Sequence, residues 1–153
     1  MASSFVSDIA KGLFGTGDNW STVSTGVYYV TLLSNNYVPN QAHSYASNFS
    51  GAELSSTSFT AGFNGTVRLS LVGRTVFSNT TSHQAEFRAT AAVWSAISAG
   101  VAHAFCVVKQ AGSDGLSPII AYVSTGGFPI TTNGGDLTVS FANSGVFLMA
   151  DGA

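Results

Sequence analysis

The sequence predicts an all-β fold: a β-sandwich, jelly roll included, preceded by a short N-terminal helix or arm. Three observations carry that expectation. From Val27 onward apolar residues recur with a period of two, Asn- and Gly-rich clusters fall between the periodic runs, and no stretch after Val27 has the helical period that crossovers in a parallel sheet would need.

The elements follow in chain order. Between Ser3 and Phe14, the residues Phe5, Val6, Ile9 and Leu13 fall on one helical face, with Ser4 or Ser7 and Asp8 near the start and Gly15 to end it. So short a helix is unstable alone, and its apolar face packs either on its own domain or on a neighbouring subunit. Val27 to Leu33, Ala104 to Val108 and Ile119 to Val123 are apolar on both faces, which predicts strands covered on both sides. Val67, Leu69 and Leu71 alternate with Arg68 and Ser70. Ala85, Phe87 and Ala89 alternate with Gln84, Glu86 and Arg88, and Leu137, Val139 and Phe141 with Thr138 and Ser140. These read as half-buried strands with one wet face. A last short strand covers Val146 to Met149, for about eight in all. The Ser/Asn/Thr-rich segment from Tyr37 to Phe63 has weak periodicity and reads as a long loop or arm.

Turn residues fall at Asn35-Asn36, Asn64-Gly65, Asn79 to Ser82, Gly112 to Gly115, Gly126-Gly127, Asn133 to Gly135 and Asn143 to Gly145. With 153 residues and no shift in composition, one domain is expected: residues 1–15 as the helix or arm and 16–153 as a single β-sandwich.

Charged residues make up only 8% of the chain, against about 25% in an average soluble domain. Twelve ionised side chains cannot cover such a surface, so Ser, Thr, Asn, Gly and apolar atoms must, and contact with other chains would account for that. The formal net charge is -2, with Lys11, Arg68, Arg74, Arg88 and Lys109 scattered. Without a basic stripe to release counterions, no direct binding of nucleic acid is expected. Cys106 is the one cysteine and sits in an apolar run, so a buried inert thiol is expected rather than a disulfide or a zinc ligand. No signal peptide and no run of 18 apolar residues is present, so neither secretion by that route nor a membrane partner is expected. The Asn-x-Ser/Thr triplets at Asn19, Asn48, Asn64 and Asn79 are what this composition produces by chance.

A search for chemistry returns little. No Gly-x-Ser-x-Gly, phosphate-loop or dinucleotide fingerprint occurs, and Gly15-Thr16-Gly17 follows a helix where a dinucleotide site would follow a strand. His43, His83 and His103 lie far apart in sequence, and His83 with Glu86 would point to opposite faces of a strand. The seven carboxylates are dispersed, so a catalytic pair would have to be built by the fold alone. No catalytic residue, metal or cofactor is therefore assigned, and the chain is expected to be non-enzymatic. Glu86 and Arg88 share a strand face and are placed to pair. Trp20 and Trp94 read as core or interface anchors.

Val30 to Asn40 (Val-Thr-Leu-Leu-Ser-Asn-Asn-Tyr-Val-Pro-Asn) resembles a family of small virion structural proteins of tailed double-stranded DNA phages. The likeness continues in order through His43-Ser-Tyr, Ala52-Glu-Leu, Phe59-Thr-Ala-Gly, Val93-Trp-Ser-Ala, Ser117-Pro-Ile-Ile-Ala-Tyr-Val and Thr132-Asn-Gly-Gly-Asp-Leu-Thr-Val. It spans roughly Val27 to Leu148. The order and spacing carry it, since each step is short. The chain departs from that pattern at Lys109-Gln110, where an acidic residue would follow the Lys, and in a longer N-terminal helix.

The resemblance implies a structural protein of the particle, foremost a head decoration or cement protein on the capsid surface. Its partners would be the major capsid protein and further copies of itself. Tail, connector and tail-tip carbohydrate- or receptor-binding modules are the alternatives, the last using exposed Trp and Tyr. A hydrolase acting on envelope polymers is the weakest reading. The docking residues expected are Phe5, Ile9 and Leu13 on the helix and Tyr37, Tyr45, Phe49, Phe59 and Phe63 on the arm. On this view the domain would stay folded without the residues before Gly15.

Overall fold

The computed structural model describes residues 4–15, 20, 27–49, 51–54, 68–97, 99–142 and 145–150. These form an all-β fold of antiparallel sheets with one short α-helix. Seven of its strands lie where the alternating and doubly apolar runs place them: β2 (Tyr28–Leu33), β3 (Arg68–Ser70), β5 (Gln84–Arg88), β8 (Ala104–Lys109), β9 (Ile119–Val123), β11 (Leu137–Val139) and β12 (Phe147–Ala150). Five more were not legible: β1 (Phe5–Val6), β4 (Thr75–Asn79), β6 (Ala92–Trp94), β7 (Gly100–Ala102) and β10 (Ile130–Thr132). Four of these have two or three residues, too few to show a period.

The largest sheet runs in the order β1-β9-β8-β2-β3. Its central strands are apolar on both faces because the chain itself covers both. On one face Tyr28, Val30, Leu32, Phe105, Val107 and Ile120 join a core with Trp20, Phe87, Trp94 and Phe147. On the other, Leu33, Ala104, Cys106, Val108, Ile119 and Tyr122 join a smaller core with Tyr37, Ala46, Phe49 and Ala52. The β8–β9 register shifts between Val107, opposite Ala121, and Val108, opposite Ile119. Ile120 is the extra residue, and this bulge lets Ile119 and Ala121 serve opposite cores.

The N-terminal segment differs from the expected continuous helix. Phe5 and Val6 are extended and pair with Tyr122 and Ala121. Successive residues of a strand face opposite ways, so Phe5 packs on the smaller core and Val6 on the larger. The helix α1 begins only at Asp8 (Asp8–Gly15), because Ser7 caps it. The Ser7 hydroxyl accepts the Ala10 N–H at 3.2 Å and donates to the Ile119 carbonyl. Ser7 and Ala10 are fully buried, and Leu13 and Phe14 pack on the larger core. Residues 4–15 are thus packed onto the domain through β1, the Ser7 cap and the Leu13 and Phe14 side chains.

Residues 37–49 and 51–54 (loop 37–54) form a loop with one 3-10 turn at Ala46–Phe49, as expected of that part of the arm, but one that closes over the second face of the main sheet. It is tied there by Ser34 N–H to the Ala52 carbonyl (2.8 Å), Leu54 N–H to the Leu32 carbonyl (2.9 Å) and Ala46 N–H to the Ser117 carbonyl (2.8 Å). The rest of the expected arm lies outside the described residues.

The smaller sheets are β12-β5-β4, β11-β6 and β10-β7. The β4–β5 hairpin turns where Asn79 to Ser82 predicts it: Asn79 Oδ1 accepts the N–H groups of Thr81 (3.1 Å) and Ser82 (3.2 Å). Gly145 enters β12 with φ +106, and a Cβ there would lie 2.5 Å from the Phe87 carbonyl oxygen.

Candidate functional site

The scarce charges are not spread over the surface. Arg68 lies on what alternation marks as the wet face of β3, yet it is only 1% exposed. Loop 37–54 covers that face, and the guanidinium finds its partners beneath it. Arg68 Nη2 and Nε donate to Glu53 Oε1 and Oε2 at 2.7 and 2.9 Å, and Nη1 donates to Asp114 Oδ1 at 2.8 Å. Thr31 Oγ1 donates to Glu53 Oε2 at 2.7 Å. Burial works against the Arg68 charge, but the hydrogen bonds to Glu53 and Asp114 prevail and hold it more firmly protonated than usual.

Two more charges are withdrawn. Arg74 donates to the carbonyls of Trp20 (3.0 Å) and Leu71 (2.7 Å) and lies over the Tyr28 ring, 5.1 Å from its centroid. Glu86 also leaves its predicted wet face: its side chain is 8% exposed, and it pairs with Arg88 at 2.5 Å as the sequence suggests. Hydrogen bonds from Arg88 and Asn79 hold its carboxyl below the usual value. Of the ten ionised side chains among the described residues, Glu53, Arg68, Arg74, Glu86 and Asp114 are thus inside, which leaves Asp8, Lys11, Arg88, Lys109 and Asp136.

The surface carries large apolar side chains. Val38, Leu116, Phe77, Val76, Val93, Val72, Val101, Leu148 and Tyr45 are all exposed, from 78% for Val38 to 37% for Tyr45. A cleft of about 720 Å³ opens where β1, β8 and β9 meet the β11–β12 region. Phe5, Phe105, Tyr122, Phe128, Phe141 and Phe147 supply its rings, and no charged side chain is among its described lining residues. Phe5 stacks on Tyr122 with centroids 5.4 Å apart, and Phe105 meets Phe141 edge-on at 5.6 Å. Rings and hydroxyls such as Ser4 and Thr125 suit such a cleft to apolar contact rather than to proton transfer.

Of the described residues expected to dock, Phe5, Tyr37 and Phe49 meet at the smaller core, and Ile9, Leu13 and Tyr45 do not join that cluster. Tyr37 and Phe49 are core residues, 7% and 1% exposed, and meet each other edge-on at 5.8 Å. Loop 37–54 lays these two rings on its own sheet, whereas Val38 and Tyr45 of the same loop stay exposed. Tyr37 also hydrogen-bonds His43 Nδ1 at 2.9 Å, and burial pushes its phenol well up. Phe5, Ile9 and Leu13 are half-buried, and Leu13 packs on the larger core. Tyr45 alone of the six described is exposed, and Phe59 and Phe63 lie outside the described residues. Trp20 and Trp94 are core anchors, 1% and 0% exposed. Cys106 is fully buried, and burial raises its thiol far above the ordinary value, so it is the inert group the sequence suggests.

What sequence reading missed is Val72, Val76, Phe77 and the whole of β4, whose residues are exposed on both faces apart from half-buried Asn79. The only signal was the run Thr75-Val-Phe-Ser between Arg74 and Asn79. Comparison with protein-family models, curated proteins and solved structures returned no match.

Proposed function

We propose that the chain is a structural subunit of a tailed-phage particle, foremost a capsid cement or decoration protein that bridges major capsid subunits. The resemblance from Val27 to Leu148 suggests the particle, and one observation carries the role: among the described residues five ionised groups remain outside the interior while nine large apolar side chains stand exposed. Water solvates such a surface poorly, and apolar contact with other subunits relieves that cost at roughly 25 cal/mol per Å² buried. Several weak apolar footholds on one shell multiply, because once one is engaged the others bind at high effective concentration. We read the main sheet and β12-β5-β4, on either side of the larger core, as the layers of a β-sandwich that displays these footholds.

The sugar- or receptor-binding alternative drew on exposed Trp and Tyr. Both tryptophans are buried and Tyr45 is the one strongly exposed tyrosine, which leaves that reading few platforms for stacking.

Particles purified from an infected host and resolved on a stained gel test the proposal. A cement protein is present in hundreds of copies and stays bound through a wash in about 1 M salt, where charge attractions reach only about 3 Å. A handful of copies would move the chain to the tail, and its absence from the particle would overturn the reading.

A further inference from the structure

The exposed strand β4 forms one edge of the sheet β12-β5-β4, with no described strand on its free side. Every second residue of an edge strand directs its N–H and C=O away from the sheet, so β4 presents a row of unused backbone groups. Sheet edges left open in soluble proteins are blunted by Lys, Pro, a bulge or an inward charge. β4 has none of these: Thr75–Asn79 contains no charged residue and no Pro, and its register with β5 runs unbroken from Thr75 opposite Arg88 to Asn79 opposite Gln84. Val76 (46% exposed) and Phe77 (49%) add apolar groups to both sides of this edge.

We infer that β4 is the site of self-association: two copies of the chain pair their β4 strands antiparallel about a two-fold axis at Phe77. The occupant follows from symmetry. An antiparallel ladder has a two-fold axis of its own, so any edge strand is complementary in its hydrogen bonds to a copy of itself, and closed two-fold dimers are the commonest homo-oligomers. An axis at Phe77 is the register that pairs all five residues, setting Thr75 against Asn79, Val76 against Ser78 and Phe77 against Phe77 of the second copy. No like charges then face each other across the new ladder. Arg88, which lies over the Phe77 ring at 4.5 Å, stands beside Thr75 and away from its counterpart. The product is a six-stranded sheet in which both β4 edges are closed.

This pairing is a property of the purified chain and does not depend on the particle. Sedimentation or light scattering of the full chain should give twice 15.7 kDa, and Phe77→Lys, which sets two like charges on the axis, should return it to 15.7 kDa with an unchanged far-UV spectrum. Opposed residues of an antiparallel pair have Cα atoms about 4.5 to 5.5 Å apart, within disulfide reach. Oxidised Phe77→Cys should therefore run as a covalent dimer on a non-reducing gel, whereas Val101→Cys, 40% exposed on β7, should not. Cys106 is buried and does not compete. A monomer at every concentration overturns the inference, as does a dimer that survives Phe77→Lys. Should Phe77→Lys fail to fold, the Phe77→Cys cross-link decides alone, and its failure to form is equally fatal.

Discussion

Arg68 and Glu53 form a two-pronged ion pair, Nη2 to Oε1 at 2.7 Å and Nε to Oε2 at 2.9 Å, in which neither side chain is more than 1% exposed. It ties β3 to loop 37–54, and through Asp114 to the 3-10 turn Asp114–Leu116. Removing one member of a buried pair strands the other charge away from water. Arg68→Met should therefore cost about 3 to 5 kcal/mol in denaturant unfolding. Combining it with Glu53→Gln should recover part of that loss, because no uncompensated carboxylate then remains at position 53. Equal instability of the single and double variants would refute the account.

Truncation before Asp8 removes β1 and the Ser7 cap, and with them the Phe5–Tyr122 stack. The shortened chain should lose several degrees of Tm, since a cap is worth about 1 kcal/mol and half-buried Phe5 adds part of the roughly 1.5 to 3 kcal/mol of a fully buried aromatic side chain. A melting curve matching the full chain would show that the segment lies outside the domain after all.

Gly145 holds φ +106 with the backbone of Phe87 against it. Ala at this position meets both an unfavourable backbone region and a carbonyl that cannot swing aside. Gly145→Ala should cost about 1 to 3 kcal/mol by chemical denaturation.

Glu86 supplies a pH dependence. Its carboxyl is held below its ordinary value of 4.5 by hydrogen bonds from Arg88 and Asn79. A group depressed in the folded state contributes stability that is fully present above 4.5 and is lost as pH falls through the folded-state value. The stability gap between the wild type and Glu86→Gln should therefore be widest near neutrality and close in acid. Urea titrations across that range check the sign, and a gap that grows on acidification would contradict it.

Phe147 stacks on Phe87 with centroids 4.5 Å apart and meets Trp20 edge-on at 5.3 Å. Phe147→Ala should cost about 3 to 5 kcal/mol and shift the tryptophan emission, because it opens a cavity beside the indole. An unaltered emission spectrum would place Trp20 elsewhere.

Period and turn chemistry are local properties, and they were legible. Alternation in β5 and β11, doubly apolar runs in β2, β8 and β9, and Asn79 at its hairpin are readable because side-chain direction and turn geometry follow from neighbours one to three positions away. The inertness of Cys106 was legible for the same reason, since every residue beside it is apolar.

Which face of a strand meets water was not local. Arg68 and Glu86 occupy positions that alternation calls wet, and both are buried because partners far along the chain, Glu53 and Asp114 for one and the neighbouring strands for the other, fold against them. Tyr37 and Phe49 likewise read as free aromatic residues until loop 37–54 is laid across its own sheet. The amino-acid sequence by itself determined that this chain is β-rich, sparsely charged and apolar in its central strands. Tertiary structure alone decided which charges vanish into the interior and that β4 stands as an exposed edge, because burial and edge position depend on strand order and long-range register, which no short window of sequence contains.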